Sequence, residues 1–253
     1  MAAANPGDPP VTRAVLLAAG LGGRLQHHTA SIPKPLVPVD GRPLVSYTID
    51  ALADAGIREL VAVTGYRGEP LRRALDALSP VPVVFRHNPN YRLGASCSLA
   101  AAREACGDEP FLLVMSDHLV APALVERLIE HGPRDGASVA ADSSIRDPAY
   151  VEEATRVLTD AGGLVRDIGK GLREWNFLDA GAFVCGPATW DAVEQAPFGC
   201  NLSDVFRILA RQRRFYAADI TGAFWYDVDT PEDRAIAEAL LRDGLDPTAA
   251  PAG

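Results

Sequence analysis

Short apolar runs ending in glycine or serine alternate with helix-patterned segments through the first half of this chain, and that rhythm leaves few folds open. Residues 11–20 (VTRAVLLAAG) form an apolar run that closes on glycine and reads as a buried strand. Residues 43–55 carry helical apolar spacing, stopped by Gly56, and residues 58–66 (RELVAVTGY) give a second strand. A helix over 69–78, a strand over 81–86, a helix over 96–106 and a strand over 110–116 follow. A βαβαβα succession predicts an α/β domain with a doubly wound, mostly parallel sheet covered by helices on both faces. In such sheets ligands sit beyond the carboxyl ends of the strands. Three segments fall there: the glycines after the first strand, Gly65-Tyr66 after the second, and Ser116-Asp117-His118 after the fourth.

The loop after the first strand has the chemistry of a phosphate cradle. Gly20, Gly22 and Gly23 permit a tight turn whose amides approach an anion. Arg24 adds a two-pronged donor for phosphate oxygens. Lys34 follows ten residues later, its backbone kept extended by Pro33 and Pro35. The chain holds two lysines, Lys34 and Lys170, against 22 arginines. Both lysines stand in motif-like strings, which points to sites where a compact ammonium is needed and a planar guanidinium does not fit. Neither a Walker A string nor a complete G-x-G-x-x-G fingerprint is present.

Carboxylates supply the next candidates. Asp117 directly follows a buried strand and is too early to cap the helix beginning near Ala121. Asp227 and Asp229 lie two apart in an apparent strand, on one face, where they need a cation or donor between them. A hard cation such as Mg²⁺ suits these oxygens. Asp229 or Thr230 could instead cap the final helix opened by Pro231. His118 reads as a ligand, a base or a packed core histidine. The second half offers strands at 137–142, 153–159 and 182–185, a hairpin turn at 160–163, and surface helices at 187–195 and 202–211.

With 253 residues, 48% of them apolar, one domain over residues 11–245 can bury its own core; residues 1–10 and 246–253 read as disordered tails. A net charge of −9 argues against nucleic acid as a partner. Cys97, Cys106, Cys185 and Cys200 lack metal spacing and fit a reducing, cytoplasmic setting. No apolar run reaches membrane-spanning length. Homo-oligomerisation is left open.

The string L-A-A-G-x-G-x-R followed by K-P-L resembles the signature of nucleotidyltransferases that join a nucleoside triphosphate to a sugar or alcohol phosphate. The resemblance spans residues 11 to 242. The S-D-H triplet, the I-G-K-x-L string and D-A-G-A-F-V-C are most similar to cytidylyltransferases acting on inositol 1-phosphate, although Ser116 stands where the pattern has glycine. The resemblance implies a Rossmann-like nucleotide-diphospho-sugar transferase fold. It implies a triphosphate, CTP, held by Leu17, Ala19, Gly20, Gly22, Gly23, Arg24, Lys34 and Gly65. It places the base and ribose at Gly94 and Ser96, where Ser96 could equally cap a helix. It assigns Mg²⁺ to Asp117 and the Asp227/Asp229 segment, and the phosphate-bearing acceptor to Lys170, Asp179 and Gly181. Lys34 and Arg24 would be the catalytic cations. Other acceptors stay open, namely phosphocholine, a phosphonate or a hexose 1-phosphate, as does a silent nucleotide-binding regulator. Many such enzymes are fused to a membrane domain that uses the product; here a separate enzyme is expected to do so.

Overall fold

A strand buried on both faces organises the molecule. β1 (Arg13–Ala18) sends Ala14, Leu16 and Ala18 into one apolar layer and Val15 and Leu17 into the other, which is why its sequence is continuously apolar rather than alternating. The computed structural model describes residues 9–22, 32–144 and 148–242. After β1 come a single 3-10 turn (Lys34–Leu36), the small ribbon β2 (Pro38–Val39) and β3 (Arg42–Pro43), α1 (Leu44–Asp54), β4 (Glu59–Thr64), α2 (Gly68–Leu78) and β5 (Val83–His87). Next are α3 (Ser96–Ala101), α4 (Arg103–Cys106), β6 (Phe111–Met115), β7 (His118–Val120) and α5 (Pro122–His131). The second half runs β8 (Ala137–Asp142), α6 (Pro148–Glu153), β9 (Arg156–Thr159), β10 (Val165–Gly169), β11 (Phe177–Cys185), α7 (Ala188–Gln195), α8 (Leu202–Arg211), β12 (Phe215–Asp219), β13 (Trp225–Asp227) and α9 (Pro231–Arg242).

One nine-stranded sheet joins two halves. In the first, β6, β1, β4 and β5 lie side by side, all parallel. In the second, β11 runs antiparallel to β6, β8 and β9, while β12 joins β8 in parallel. Side chains of α1, α2 and α5, among them Ile49, Leu71 and Leu124, cover one face. Side chains of α3, α7 and α8, among them Leu99, Trp190 and Phe206, cover the other. The expected doubly wound α/β arrangement is thus present. The register of β11 against β8 shifts between Asp179 and Phe183, and Gly181 within the shift has φ +71°. A bulge of this kind bends a strand and re-aims its side chains.

Several elements differ from their predicted form. The helix over 96–106 breaks into α3 and α4 at Ala102. The strand expected from 153 begins at Arg156, because α6 occupies the residues up to Glu153. β11 starts at Phe177, five residues before the predicted strand, since its first part pairs with β9. Asp229 lies outside β13, which ends at Asp227.

Candidate active site

The parallel register aligns the carboxyl ends of β1 and β6, with Leu17 opposite Met115. The Ser116 amide donates to the Leu17 carbonyl (3.3 Å), fixing the turn that carries Asp117 beside the loop following β1. A second, long-range device brings in the end of the chain. β7 and β13 form an antiparallel ribbon with His118 opposite Asp227, and the Val228 amide donates to the Asp117 carbonyl (2.9 Å). Residues over a hundred positions apart thereby converge at the carboxyl edge of the sheet.

At the point of convergence Lys34 is buried, with 8% of its surface exposed. Its Nζ donates to Asp117 Oδ2 (2.7 Å) and to Asp229 Oδ1 (2.5 Å). Burial works against the ammonium's charge, but the two carboxylates outweigh it and hold the lysine above its ordinary pKa. Asp117 is correspondingly held well below the carboxylate range: burial opposes this, but Lys34 and His118 prevail. Asp117 Oδ1 also meets His118 Nδ1 at 3.0 Å. Burial lowers the tendency of His118 to protonate, yet Asp117 and Asp227 turn the balance and raise its pKa. Asp227 lies above the usual carboxylate range because of its burial and the nearby Asp229 and Asp117.

The capping alternative at the last helix resolves cleanly. Thr230 Oγ1 accepts from the Asp233 amide (3.1 Å), and Asp233 Oδ2 accepts from the Thr230 amide (2.7 Å). Thr230 and Asp233 form the reciprocal cap, so the carboxylate of Asp229 is turned to Lys34 instead.

Two cavities meet at Asp117 and Asp229, which line both. The first, about 360 Å³, is bounded by Leu17, Ala19, Gly20, Gly22 and Lys34, all candidates from the sequence. Gly22 has φ +63°, and a Cβ on Gly20 would meet nothing within 4 Å, which leaves the loop backbone open to an anion. Gly23 and Arg24 lie outside the described residues. The second cavity, about 620 Å³, contains Lys170, Asp179, Gly181, Asp227 and His118.

Gly65 and Gly94 make room for protein and line neither cavity, whereas Gly181 lines the second cavity and also makes room for His118. A Cβ on Gly65 would stand 2.6 Å from Tyr91 Cβ, and one on Gly94 2.0 Å from the Cys200 carbonyl oxygen. Gly94 also donates to the Gly199 carbonyl (2.8 Å), tying the segment before α3 to the loop before α8. A Cβ on Gly181 would meet His118 Nε2 at 2.4 Å. Ser96 is buried in the first turn of α3, and Ser98 rather than Ser96 lines the first cavity. Asp179 accepts from the Gly181 amide (2.8 Å); its burial pushes the carboxyl up to about 7.

Tyr91 and Ser98 line the first cavity and Arg207 the second, and none of the three stands in a motif that marks it. Ser98 Oγ accepts from Asn88 Nδ2 (2.9 Å), and Asn88 Oδ1 accepts from the Asn90 amide, contacts that no sequence pattern marks. Arg207 was signalled only by its place one turn after the capping Asp204.

Two carboxylates within reach of one ammonium form a hard-oxygen donor set of the kind Mg²⁺ takes. Among the described residues no group of three or more His, Cys, Asp or Glu side chains is arranged to hold a metal by itself. The residues therefore fit an ion that draws its remaining ligands from phosphate and water, as magnesium usually does.

The family model for MobA-like NTP transferase domains matches residues 14–177. A "Bifunctional IPC transferase and DIPP synthase" of Rubrobacter xylanophilus is 37% identical over 234 residues, covering 90% of this chain and 51% of the relative. A "Mannose-1-phosphate guanylyltransferase catalytic subunit beta" of Drosophila melanogaster is 32% identical over 243 residues, covering 90% and 63%. The chain thus spans between about half and two thirds of the length of these curated relatives. Among solved structures, the inositol-1-phosphate CTP transferase from T. maritima superposes with a TM-score of 0.82 at 24% identity, covering 96% of this chain and 100% of that one. A UDP-glucose pyrophosphorylase complexed with UDP-glucose gives 0.78 at 19% identity, covering 92% and 99%. These likenesses establish the shared fold.

Proposed function

The chain belongs to the family of MobA-like NTP transferase domains, and from that premise we propose that it transfers a cytidylyl group from CTP to inositol 1-phosphate, giving CDP-inositol and pyrophosphate. The observation that carries the reading is the junction of two cavities at one lysine and two aspartates. One cavity is lined by the glycine loop and Lys34, the other by Lys170 and Asp179. Reacting phosphates from two substrates would meet there.

In this reading an oxygen of the acceptor phosphate attacks the α-phosphorus of CTP; the new P–O bond forms as the bond to pyrophosphate breaks. A phosphate monoester is already a nucleophile near neutral pH, so no side chain has to remove a proton. The work of the protein is placement and charge compensation. Gly20 and Gly22 would offer the loop backbone to the triphosphate, with Gly23 and Arg24 continuing that grip. Lys34 stands where charge grows at the α-phosphate, already oriented by Asp117 and Asp229. Magnesium held by Asp117 and Asp229 would neutralise phosphate charge and bring the reacting groups together. Lys170 would take the acceptor's phosphate. The apolar lining of the first cavity by Leu17, Leu93 and Met115 suits the nucleoside.

The choice of inositol phosphate and CTP is supported by the 37% identical relative and by the strings around Asp117, Lys170 and Asp179. A pyrophosphate-release assay run as a matrix tests it: four nucleoside triphosphates against inositol 1-phosphate, mannose 1-phosphate, glucose 1-phosphate, phosphocholine and a phosphonate. The fastest turnover is expected for CTP with inositol 1-phosphate. Preference for GTP with mannose 1-phosphate would replace this reading with the activity named for the Drosophila relative. Binding without turnover in every cell of the matrix would leave a silent nucleotide-binding protein.

A further inference from the structure

Arg207 projects from α8 into the second cavity and is held there from three directions. Its Nε donates to Asp167 Oδ1 on β10 (2.9 Å), and its Nη1 donates to Asp204 Oδ1 one turn earlier on α8 (3.1 Å). Asp204 is itself fixed, because its Oδ2 accepts from the Asn201 amide (3.2 Å) in the cap of the helix. Beneath the guanidinium lies Gly169, where a Cβ would stand 2.1 Å from Nη2. Any side chain at 169 would displace the fork. Asp167, Gly169, Asn201 and Asp204 together set Arg207 in one position, and among the described residues nothing accepts a hydrogen bond from its Nη2.

Charge separates this group from its neighbour Lys170. Lys170 is exposed and pairs with no carboxylate among the described residues. Arg207 with Asp167 and Asp204 carries a net charge of −1 when all three are ionised. A phosphate dianion approaching Arg207 meets two carboxylates as well, whereas at Lys170 it meets an uncompensated ammonium. A neutral hydroxyl has no such penalty: it can accept from Nη2 and donate to a carboxylate. The cavity also presents Thr155, Asn201 and Ser203, so its wall is polar in the way a polyhydroxylated ring requires.

We propose that Arg207 is a specificity-determining residue that reads a ring hydroxyl of a polyol phosphate acceptor, while Lys170 takes the phosphate. This rests on the nucleotidyl-transfer reading of the cleft and narrows its acceptor to molecules rich in hydroxyls. Gly169 leaves the room in which the guanidinium lies.

The test is a cycle between protein and acceptor, with Arg207→Gln and the parent each assayed on inositol 1-phosphate, its monodeoxy analogues and ethyl phosphate. The parent should lose about tenfold in kcat/KM when one particular hydroxyl is removed. Arg207→Gln should lose a similar factor on the intact acceptor, through KM, and nothing further on that deoxy analogue, with the KM for CTP unchanged. Arg207→Lys, which keeps the pairing charge without the second amine, serves where the glutamine variant melts at a lower temperature, and should show the same loss of selectivity. An equal loss on every acceptor, ethyl phosphate included, would make Arg207 a phosphate anchor and overturn the proposal. So would unchanged selectivity in a variant that still turns over inositol 1-phosphate. If the parent itself turns over none of the polyol phosphates, the acceptor reading falls together with this one.

Discussion

The two lysines of this chain occupy opposite physical situations. Lys34 is buried and donates to Asp117 and Asp229, so its charge is compensated and its position set before any substrate arrives. Lys170 is exposed, at the end of β10, with no carboxylate paired to it among the described residues. A buried ammonium is tolerable only because it is paired, and a paired ammonium is also a preorganised one. An unpaired surface ammonium is instead available to whatever anion diffuses in. The contrast teaches that one residue type can be fixed by its partners at one end of a cleft and left open to solvent at the other.

The largest effect is expected at Lys34. Lys34→Ala should cost on the order of 10²–10³ in kcat, the scale for losing one preorganised charge-stabilising group. Lys34→Arg should lose most turnover as well, since a longer planar fork cannot sit between the same two oxygens. Near-normal kcat in the arginine variant would show that only charge is required there.

A smaller effect is expected at the carboxylates that hold it. Asp117→Asn and Asp229→Asn should each raise the Mg²⁺ concentration for half-maximal activity, on the order of tenfold. Asp227→Asn should matter less, because Asp227 lines only the second cavity. Magnesium titrations of Asp117→Asn and Asp229→Asn that overlay the parent would move the ion elsewhere.

In the second cavity, Gly181→Ala should destabilise the fold by about 1–3 kcal/mol, read from chemical denaturation. Its φ of +71° disfavours a side chain, and the added methyl would press on His118. A stability equal to that of the parent would show that His118 can give way.

The mildest prediction concerns pH. The Asp179 carboxyl is raised by burial to about 7, from about 4 in an unfolded chain. Its contribution to stability is therefore fully present below about pH 4 and is lost as pH rises through 7. Asp179→Asn removes that loss, so the melting temperature of the variant relative to the parent should climb between pH 5 and pH 8. A constant difference would mean that Asp179 is already ionised at pH 5.

The parallel half of the fold was legible because its central strands are buried on both faces and read as unbroken apolar runs, as in β1 and β6. The antiparallel half was harder. β12 holds two alanines among five residues and gives little strand signal, and it was not predicted. β7 and β13 have three residues each, too short for any period, yet their pairing is what carries Asp227 and Asp229 to Asp117. Lys34, Asp117 and Asp229 could be picked individually from residue type and position. That the lysine lies between the two aspartates depends on contacts across 83 and 195 positions, which no local pattern encodes. The glycines were picked for substrate approach, whereas Gly65 and Gly94 yield space to Tyr91 and Cys200; Gly181 lines the second cavity and yields space to His118 as well.

Steady-state kinetics of Lys170→Ala, with both substrates varied, tests the division of the cleft most directly. The KM for inositol 1-phosphate should rise about ten- to a hundredfold, the loss of one charge-assisted contact, while the KM for CTP stays nearly unchanged. A rise in the KM for CTP instead, or no change in either constant, would contradict it.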